Sequence, residues 1–350
     1  ELAAANIGES DKFGIDLNGR IDLTRMTWIG HSRGADFANW IVRDLKLDQT
    51  ASDIGYGPVQ GLILLAPPIV ATETLPVVDL PIALILPACD GDVFTMDGQK
   101  AYEAARFDTE RTQLLTSVYL EHANHNNFNT ILDADQPMPE RPDCVADVAL
   151  TPEAQRDFLT QYTIDFLNSL YGATNNMQPI NQTLGLDPAF PVPTELYSLP
   201  VQVSTLYPAA NRLTLMQPQG EAELSQNLLG GETTFTDVTA LFCPDGYYVP
   251  LNEPEKSEPC RRVAFNQPAY PQQMLVNWET LGAEWRTAVP DTHKDLTAYT
   301  AIQIRAALDP LSPLNQPDDP QSLTIEFVDS AGNREQVVVP SVAFPIGETK

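Results

Sequence analysis

The chain has 350 residues, which is enough for two domains of ordinary size. Its hydrophobic content of 43% is typical of a packed globular protein and excludes a disordered one. The net charge of -27 excludes nucleic acid and anionic membranes as favourable partners, since both are themselves negatively charged. No apolar run approaches the roughly 20 residues of a membrane span, so no membrane-spanning helix is expected.

In chain order, the first half of the sequence predicts strands that alternate with helices. The predicted strands are 26–29, 61–66, 82–87 and 116–120. Apolar residues at helical spacing predict helices over 35–43, 98–106 and 151–170, the last with Thr151 as its N-cap. Strands that alternate with helices indicate an α/β fold with a mainly parallel sheet.

The second half of the sequence has a different character. We expect residues 1–172 to form the α/β domain, 173–193 to be a linker rich in Asn, Pro and Gln, and 194–350 to be an all-β sandwich of jelly-roll type. The strands predicted for this sandwich are 199–206, 300–308, 323–328 and 335–340. Residues 329–332, with the sequence Asp-Ser-Ala-Gly, predict a hairpin turn between the last two strands.

The four cysteines favour two local disulfides. None lies in a CxxC pair or in a Cys/His cluster with metal-ligand spacing, so no metal is expected. An even count fits the pairs Cys89 with Cys144 and Cys243 with Cys260, because each pair lies within one predicted domain. The alternative is a cytosolic protein with four buried free thiols. Disulfides, acidity and abundant proline together favour a secreted or cell-surface protein.

A serine within a Gly-x-Ser-x-Gly pattern is the strongest chemical signal in the chain. Residues 30–34 are Gly-His-Ser-Arg-Gly and lie between a predicted strand and a predicted helix. In that position a sharp turn lifts the hydroxyl of Ser32 above the sheet, and the two glycines make room where strand and helix crowd each other. The backbone N–H of Arg33 would then point toward a developing oxyanion. A solvated serine in a glycine turn is the alternative.

A nucleophilic serine requires a base and an acid that orients the base. His122 and His125 both follow the strand 116–120, and His125 has the better reach over the sheet. The acid is expected after the preceding strand, which leads into Asp90 and Asp92. We favour His125 and Asp90, because Asp90 lies just past the strand end, and keep His122 and Asp92 as alternatives.

These three motifs, in this order, resemble those of the α/β-hydrolase superfamily. Residues 21–170 are similar to the C-terminal part of a secreted bacterial esterase or lipase catalytic domain. The resemblance implies a triad of Ser32, Asp90 and His125, with the N–H of Arg33 as an oxyanion donor. It also implies cleavage of a small-molecule or polymeric ester through an acyl-enzyme, without a cofactor.

The chain departs from that family at its start. A complete α/β-hydrolase has several strands and a second oxyanion donor ahead of the serine, and these N-terminal strands are missing from this sequence. We therefore expect an N-terminal segment or a second chain to complete the fold.

Three further possibilities remain open at this stage. The β-rich tail is also similar to the layout of cocaine esterases and X-prolyl dipeptidyl peptidases, although these usually carry tyrosine where this chain has Arg33. The Arg33 side chain would bind a substrate carboxylate or, more simply, pair with Asp36. The alternatives to an esterase are a serine peptidase of the prolyl type and a non-catalytic surface protein that retains a hydrolase fold.

Overall fold

The structure is a computed structural model, and it describes residues 1–45, 57–68, 79–93, 97–133, 144–145, 147–172, 174–243, 272–306 and 323–339. The chain divides into two compact units, Glu1–Leu213 and Thr214–Lys350.

A six-stranded mixed sheet forms the centre of the first unit. Its strands are β1 (Met26–His31), β2 (Val59–Leu65), β3 (Ile82–Pro87), β4 (Leu115–Leu120), β5 (Glu195–Leu196) and β6 (Leu199–Leu206). They are arranged in the order β1-β2-β3-β4-β6-β5. The first four strands run parallel, whereas β6 runs antiparallel to β4 and β5. The parallel strands therefore all end at the same edge of the sheet.

Helices cover both faces of this sheet. The described helices are α1 (Leu2–Asn6), α2 (Arg33–Leu45), α3 (Gln99–Arg106), α4 (Pro152–Tyr171) and α5 (Thr174–Thr183). Successive side chains of a strand point to opposite faces. Accordingly Leu62 and Leu64 of β2 pack with residues of α2 and α3, whereas Ile63 and Leu65 pack with residues of α4 and α5. The result is an α/β architecture with a core on each side of the sheet.

The elements predicted for residues 26–170 are confirmed with small shifts at their ends. The predicted strand 82–87 corresponds to Ile82–Pro87, all of it buried. Parallel strands covered on both faces lack polar alternation, which is why these short apolar runs were recognisable. Thr151 is the N-cap of α4, and its side chain accepts a hydrogen bond of 3.2 Å from the N–H of Ala154.

The predicted boundary between the domains differs from the structure. The predicted linker 173–193 contains helix α5, and residues 199–206 form β6, which pairs with β4 in the sheet of the first unit. The first unit accordingly extends to Leu213. Alternation identified residues 199–206 correctly as a strand, but a strand pattern does not identify the sheet to which the strand belongs.

The described part of the second unit contains short antiparallel strands. They are β7 (Thr233–Thr236), β8 (Val238–Cys243), β9 (Gln273–Trp278), β10 (Glu284–Thr287), β11 (Leu323–Val328) and β12 (Arg334–Val339). They pair two by two, as β7 with β10, β8 with β9, and β11 with β12. The described pairs match a β-rich unit, and the jelly roll stays a prediction.

The individual predictions for this unit had mixed outcomes. The hairpin of β11 and β12 is confirmed, and its turn is held by Asp329, whose side chain accepts hydrogen bonds from the N–H groups of Ala331 and Asn333. The predicted strand 300–308 is wrong over residues 300–306, which form no regular element, and its last two residues lie outside the described ones. The predicted partner of Cys243, Cys260, lies outside the described residues.

Candidate active site

Ser32 occupies the turn between β1 and α2 in a strained backbone conformation. Its φ of 55° lies in the left-handed region, which a residue with a side chain rarely adopts. The N–H of Ser32 donates to the carbonyl of Leu65 at 2.8 Å, and the N–H of Ala35 donates to the carbonyl of Ser32 at 2.8 Å. The end of β2 and the first turn of α2 thus hold the strain in place, and such strain is concentrated at functional sites.

The two glycines that flank Ser32 have different roles. A Cβ at Gly30 would lie 2.4 Å from the carbonyl oxygen of Gly34 and 2.5 Å from the Cα of Ala35. A Cβ at Gly34 would meet no atom within 4 Å. Crowding between strand and helix therefore requires glycine at position 30, and the expectation that position 34 needs it for space is wrong.

Asp90 follows β3 and is 2% exposed. Its Oδ1 accepts hydrogen bonds from the N–H groups of Asp92 at 3.0 Å and Val93 at 2.5 Å. These two bonds fix the rotamer of the carboxylate and leave Oδ2 directed at His125. The loop after β3 thus positions Asp90 by the way it turns back on itself.

His125 follows β4 and is 1% exposed. Its Nδ1 donates a hydrogen bond of 2.8 Å to Oδ2 of Asp90. Because a carboxylate only accepts, this bond places the proton on Nδ1, so that Nε2 is the nitrogen available as a base. His122, the alternative base, lies at a φ of 60°, and its carbonyl accepts from the N–H of Leu150 at 3.0 Å.

Asp92 approaches the other side of the same imidazole. Its Oδ2 lies 3.6 Å from Nε2 of His125, and its side chain is 67% exposed. The two candidate acids are therefore divided between the two ring nitrogens. Asp90 is buried and hydrogen-bonded at Nδ1, whereas Asp92 lies in solvent near Nε2, where a serine hydroxyl would need to come.

His31 is a neighbour of His125 that sequence reasoning assigned no role. Its Nε2 lies 3.0 Å from the carbonyl oxygen of His125, and the two rings are 4.8 Å apart with an angle of 38° between their planes. Burial lowers the pKa of His31, and repulsion from a charged His125 lowers it further. This contact links the residue before Ser32 directly to the loop that carries the candidate base.

A disulfide braces the loops on which Asp90 and His125 lie. Cys89 is joined to Cys144 as predicted, with 5.3 Å between the Cα atoms. The N–H of Cys89 also donates to the carbonyl of Ala123 at 2.8 Å. The residue before the candidate acid is thus tied to the loop of the candidate base and to the segment that precedes α4.

Arg33 is the first residue of α2, and its side chain is exposed. The first N–H groups of a helix have no partner within the helix, so its backbone N–H has the character of an oxyanion donor. Among the described residues no ion pair joins Arg33 to Asp36.

The structure brings two of the three predicted residues into contact. Asp90 and His125 form a buried hydrogen-bonded pair, and His31, the residue before Ser32, contacts His125. In the described residues no hydrogen bond joins the hydroxyl of Ser32 to His125. Such bonds are often long in free enzymes and tighten only when substrate binds.

Comparison with known proteins assigns no family. No protein-family model matches this chain, and no curated protein matches it either. Within the described ranges no helix is long and apolar enough to cross a membrane. Within the same ranges no group of three or more His, Cys, Asp or Glu side chains is arranged to hold a metal ion.

Proposed function

We propose that this chain is a serine hydrolase of the α/β-hydrolase type that cleaves carboxylic esters. Ser32 is the nucleophile, His125 the general base, and Asp90 the residue that orients His125. The observation that carries the proposal is the buried hydrogen bond of 2.8 Å between Nδ1 of His125 and Oδ2 of Asp90. A histidine so held has a defined tautomer and a carboxylate to stabilise its charged form, which are the two requirements of a base for serine.

The chemistry follows from these roles. Oγ of Ser32 attacks the ester carbonyl carbon while its proton passes to Nε2 of His125. The imidazolium, stabilised by Asp90, then protonates the departing alcohol and leaves an acyl group on Ser32. Water then attacks the acyl-enzyme, with His125 again taking and returning the proton, and the carboxylic acid product leaves Ser32 free. The N–H of Arg33, at the start of α2, stabilises the oxyanion.

Asp92 must move during this cycle. Its carboxylate lies 3.6 Å from Nε2, the nitrogen that has to receive the proton of Ser32. Because its side chain is 67% exposed, rotation into solvent removes it at little cost. Asp90 has no such freedom, since two backbone N–H groups hold its other oxygen. This contrast supports Asp90 as the orienting acid.

In this proposal the protein works in an oxidising compartment. The Cys89–Cys144 disulfide lies directly beside Asp90, and structural disulfides persist outside the cytosol. We therefore infer a secreted or surface hydrolase that acts on a small-molecule or polymeric ester.

Covalent labelling by a fluorophosphonate tests the proposal. The intact mass should rise by one phosphonyl group, the modified peptide should contain Ser32, and Ser32→Ala should gain nothing. A matched pair of histidine variants tests the base: His125→Asn should abolish labelling, whereas His122→Asn should label as the wild type does. A folded protein that gains no mass at Ser32 would overturn the proposal.

A further inference from the structure

Gln155 is a buried amide that sequence reasoning overlooked. It lies in the first turn of α4 and is 0% exposed. Its Oε1 accepts a hydrogen bond of 2.8 Å from the N–H of Asn124, and its Nε2 donates one of 2.5 Å to the carbonyl of the same residue. Since one partner only donates and the other only accepts, the orientation of the amide is unambiguous.

This pair of bonds fixes the backbone immediately before His125. Other contacts hold the neighbouring residues: Oδ1 of Asn124 accepts from the N–H of Asn126 at 3.0 Å, and the N–H of Leu150 donates to the carbonyl of His122 at 3.0 Å. Of these contacts, those of Gln155 connect the loop to a side chain of the helix. Gln155 therefore ties the position of His125 to α4.

A polar side chain at this position is not needed for core packing. A leucine of similar size would bury more apolar surface and leave no amide to satisfy. The amide instead pairs with both the N–H and the carbonyl of Asn124, and these two hydrogen bonds are lost if the amide is removed. The side chain is thus suited to holding the loop in one place.

We propose that Gln155 is a positioning residue for His125, and that it keeps Nδ1 of His125 in register with Asp90. A hydrogen bond of 2.8 Å between two side chains that are almost wholly buried tolerates little displacement of the loop. The catalytic consequence rests on the proposed function, since it assumes that His125 is the base for Ser32. The structural consequence, the state of the His125–Asp90 bond, does not.

The test compares Gln155→Leu with Phe166→Leu. Phe166 is also 0% exposed and lies in the same helix about three turns further along, so its replacement weakens the core without touching Asn124. The first readout is the far-downfield proton resonance of Nδ1–H of His125, which reports the bond to Asp90 whether or not the protein is active. The second is the rate of fluorophosphonate labelling, measured well below the melting temperature of each variant.

We expect Gln155→Leu to lose the resonance and to label about 10- to 100-fold more slowly, the usual penalty for a misplaced catalytic group. Phe166→Leu should keep both properties at a lowered melting temperature. A resonance of full intensity in folded Gln155→Leu would overturn the inference. If that variant does not fold, Gln155→Met replaces it, because the flexible thioether fills a similar volume but has no N–H to donate to Asn124. A wild-type resonance and labelling rate in Gln155→Met would likewise overturn it.

The two readouts keep this inference separate from the proposed function. A wild type that shows the resonance but takes no label refutes the proposed function, while loss of the resonance in Gln155→Leu still supports the positioning role. A wild type that labels, together with a Gln155→Leu variant that keeps the resonance, refutes the positioning role alone.

Discussion

The two units of the chain bury their strands to very different extents. In the first unit β3 is buried along its whole length, and Leu84 and Ile85 at its centre are 0% exposed. In the second unit no residue of the hairpin β11–β12 is buried, and Val338 is 64% exposed. At the ends of the buried strands Asp90 and His125 are themselves almost wholly buried, so the hydrogen bond between them is screened from water and electrostatic interactions there are strong.

The buried charged groups of the two units differ in the same way. In the first unit Asp90 is paired with His125, a side chain that can itself exchange a proton. In the described part of the second unit Glu223, 7% exposed, accepts from the backbone N–H groups of Gln217 and Gln219. A carboxylate bound to backbone alone closes a loop, whereas one bound to histidine prepares a base. This difference supports assigning the proposed chemistry to the first unit.

The largest effect should come from exchanging each buried carboxylate for its amide. Asp90→Asn should slow fluorophosphonate labelling by about 10⁴-fold, because an amide that donates to Nδ1 selects the wrong histidine tautomer. Glu223→Gln should leave the labelling rate unchanged and lower the free energy of unfolding by about 1 kcal/mol. The rate constants of fluorophosphonate labelling, measured for both variants, test this difference. If Asp92→Asn were as slow as expected for Asp90→Asn, and Asp90→Asn were normal, Asp92 would be the acid.

A pair of truncations measures the contrast in burial directly. Leu84→Ala in β3 should lower the free energy of unfolding of the first unit by about 2–5 kcal/mol, since it leaves a cavity in a close-packed core. Val338→Ala in β12 should change that of the second unit by no more than about 0.5 kcal/mol. Hydrogen exchange of peptides from each strand, followed through urea unfolding, reports the units separately. Equal losses in both would contradict the comparison.

The glycines of the elbow show where the first unit is crowded. Gly30→Ala should destabilise it by about 1–3 kcal/mol, because the new methyl group overlaps the backbone of Gly34 and Ala35. Gly34→Ala, in the first turn of α2 with open space around the new methyl group, should be neutral or stabilising by up to about 1 kcal/mol. Thermal unfolding of both variants tests this. Similar losses at both positions would mean that the elbow is not packed as described.

Much of the first sheet could be predicted because its strands are short apolar runs that burial on both faces requires. The run Ile82–Pro87 needed no knowledge of its neighbours to be recognised. Thr151 was likewise identifiable, since capping depends only on residues within the first turn. Structural features that depend only on residues within one helix or strand can therefore be predicted from the sequence.

Contacts between distant elements could not be predicted in this way. Gln155 and Asn124 are 31 residues apart, and a glutamine on an amphipathic helix has no signature that marks it as buried. The choice between Asp90 and Asp92 stayed open because it depends on the turn after β3, where two N–H groups bind Asp90. The sheet to which β6 belongs depends on its pairing with β4, which the pattern of its side chains does not encode.

The smallest expected effect concerns how the two units respond to acid. Burial holds the pKa of His31 below its ordinary value of 6.5, so the unfolded chain binds a proton at His31 before the folded chain does. Above 6.5 His31 is neutral in both states and contributes nothing. As the pH falls below 6.5 toward the folded pKa, stability is lost, because the unfolded state binds more protons.

His31→Gln should therefore lose less stability on acidification than the wild type. His293→Gln, at an exposed histidine of the second unit, is the control and should follow the wild type. Urea unfolding on both sides of this pH measures the difference, and a His31→Gln variant as acid-sensitive as the wild type would show that His31 carries no such penalty.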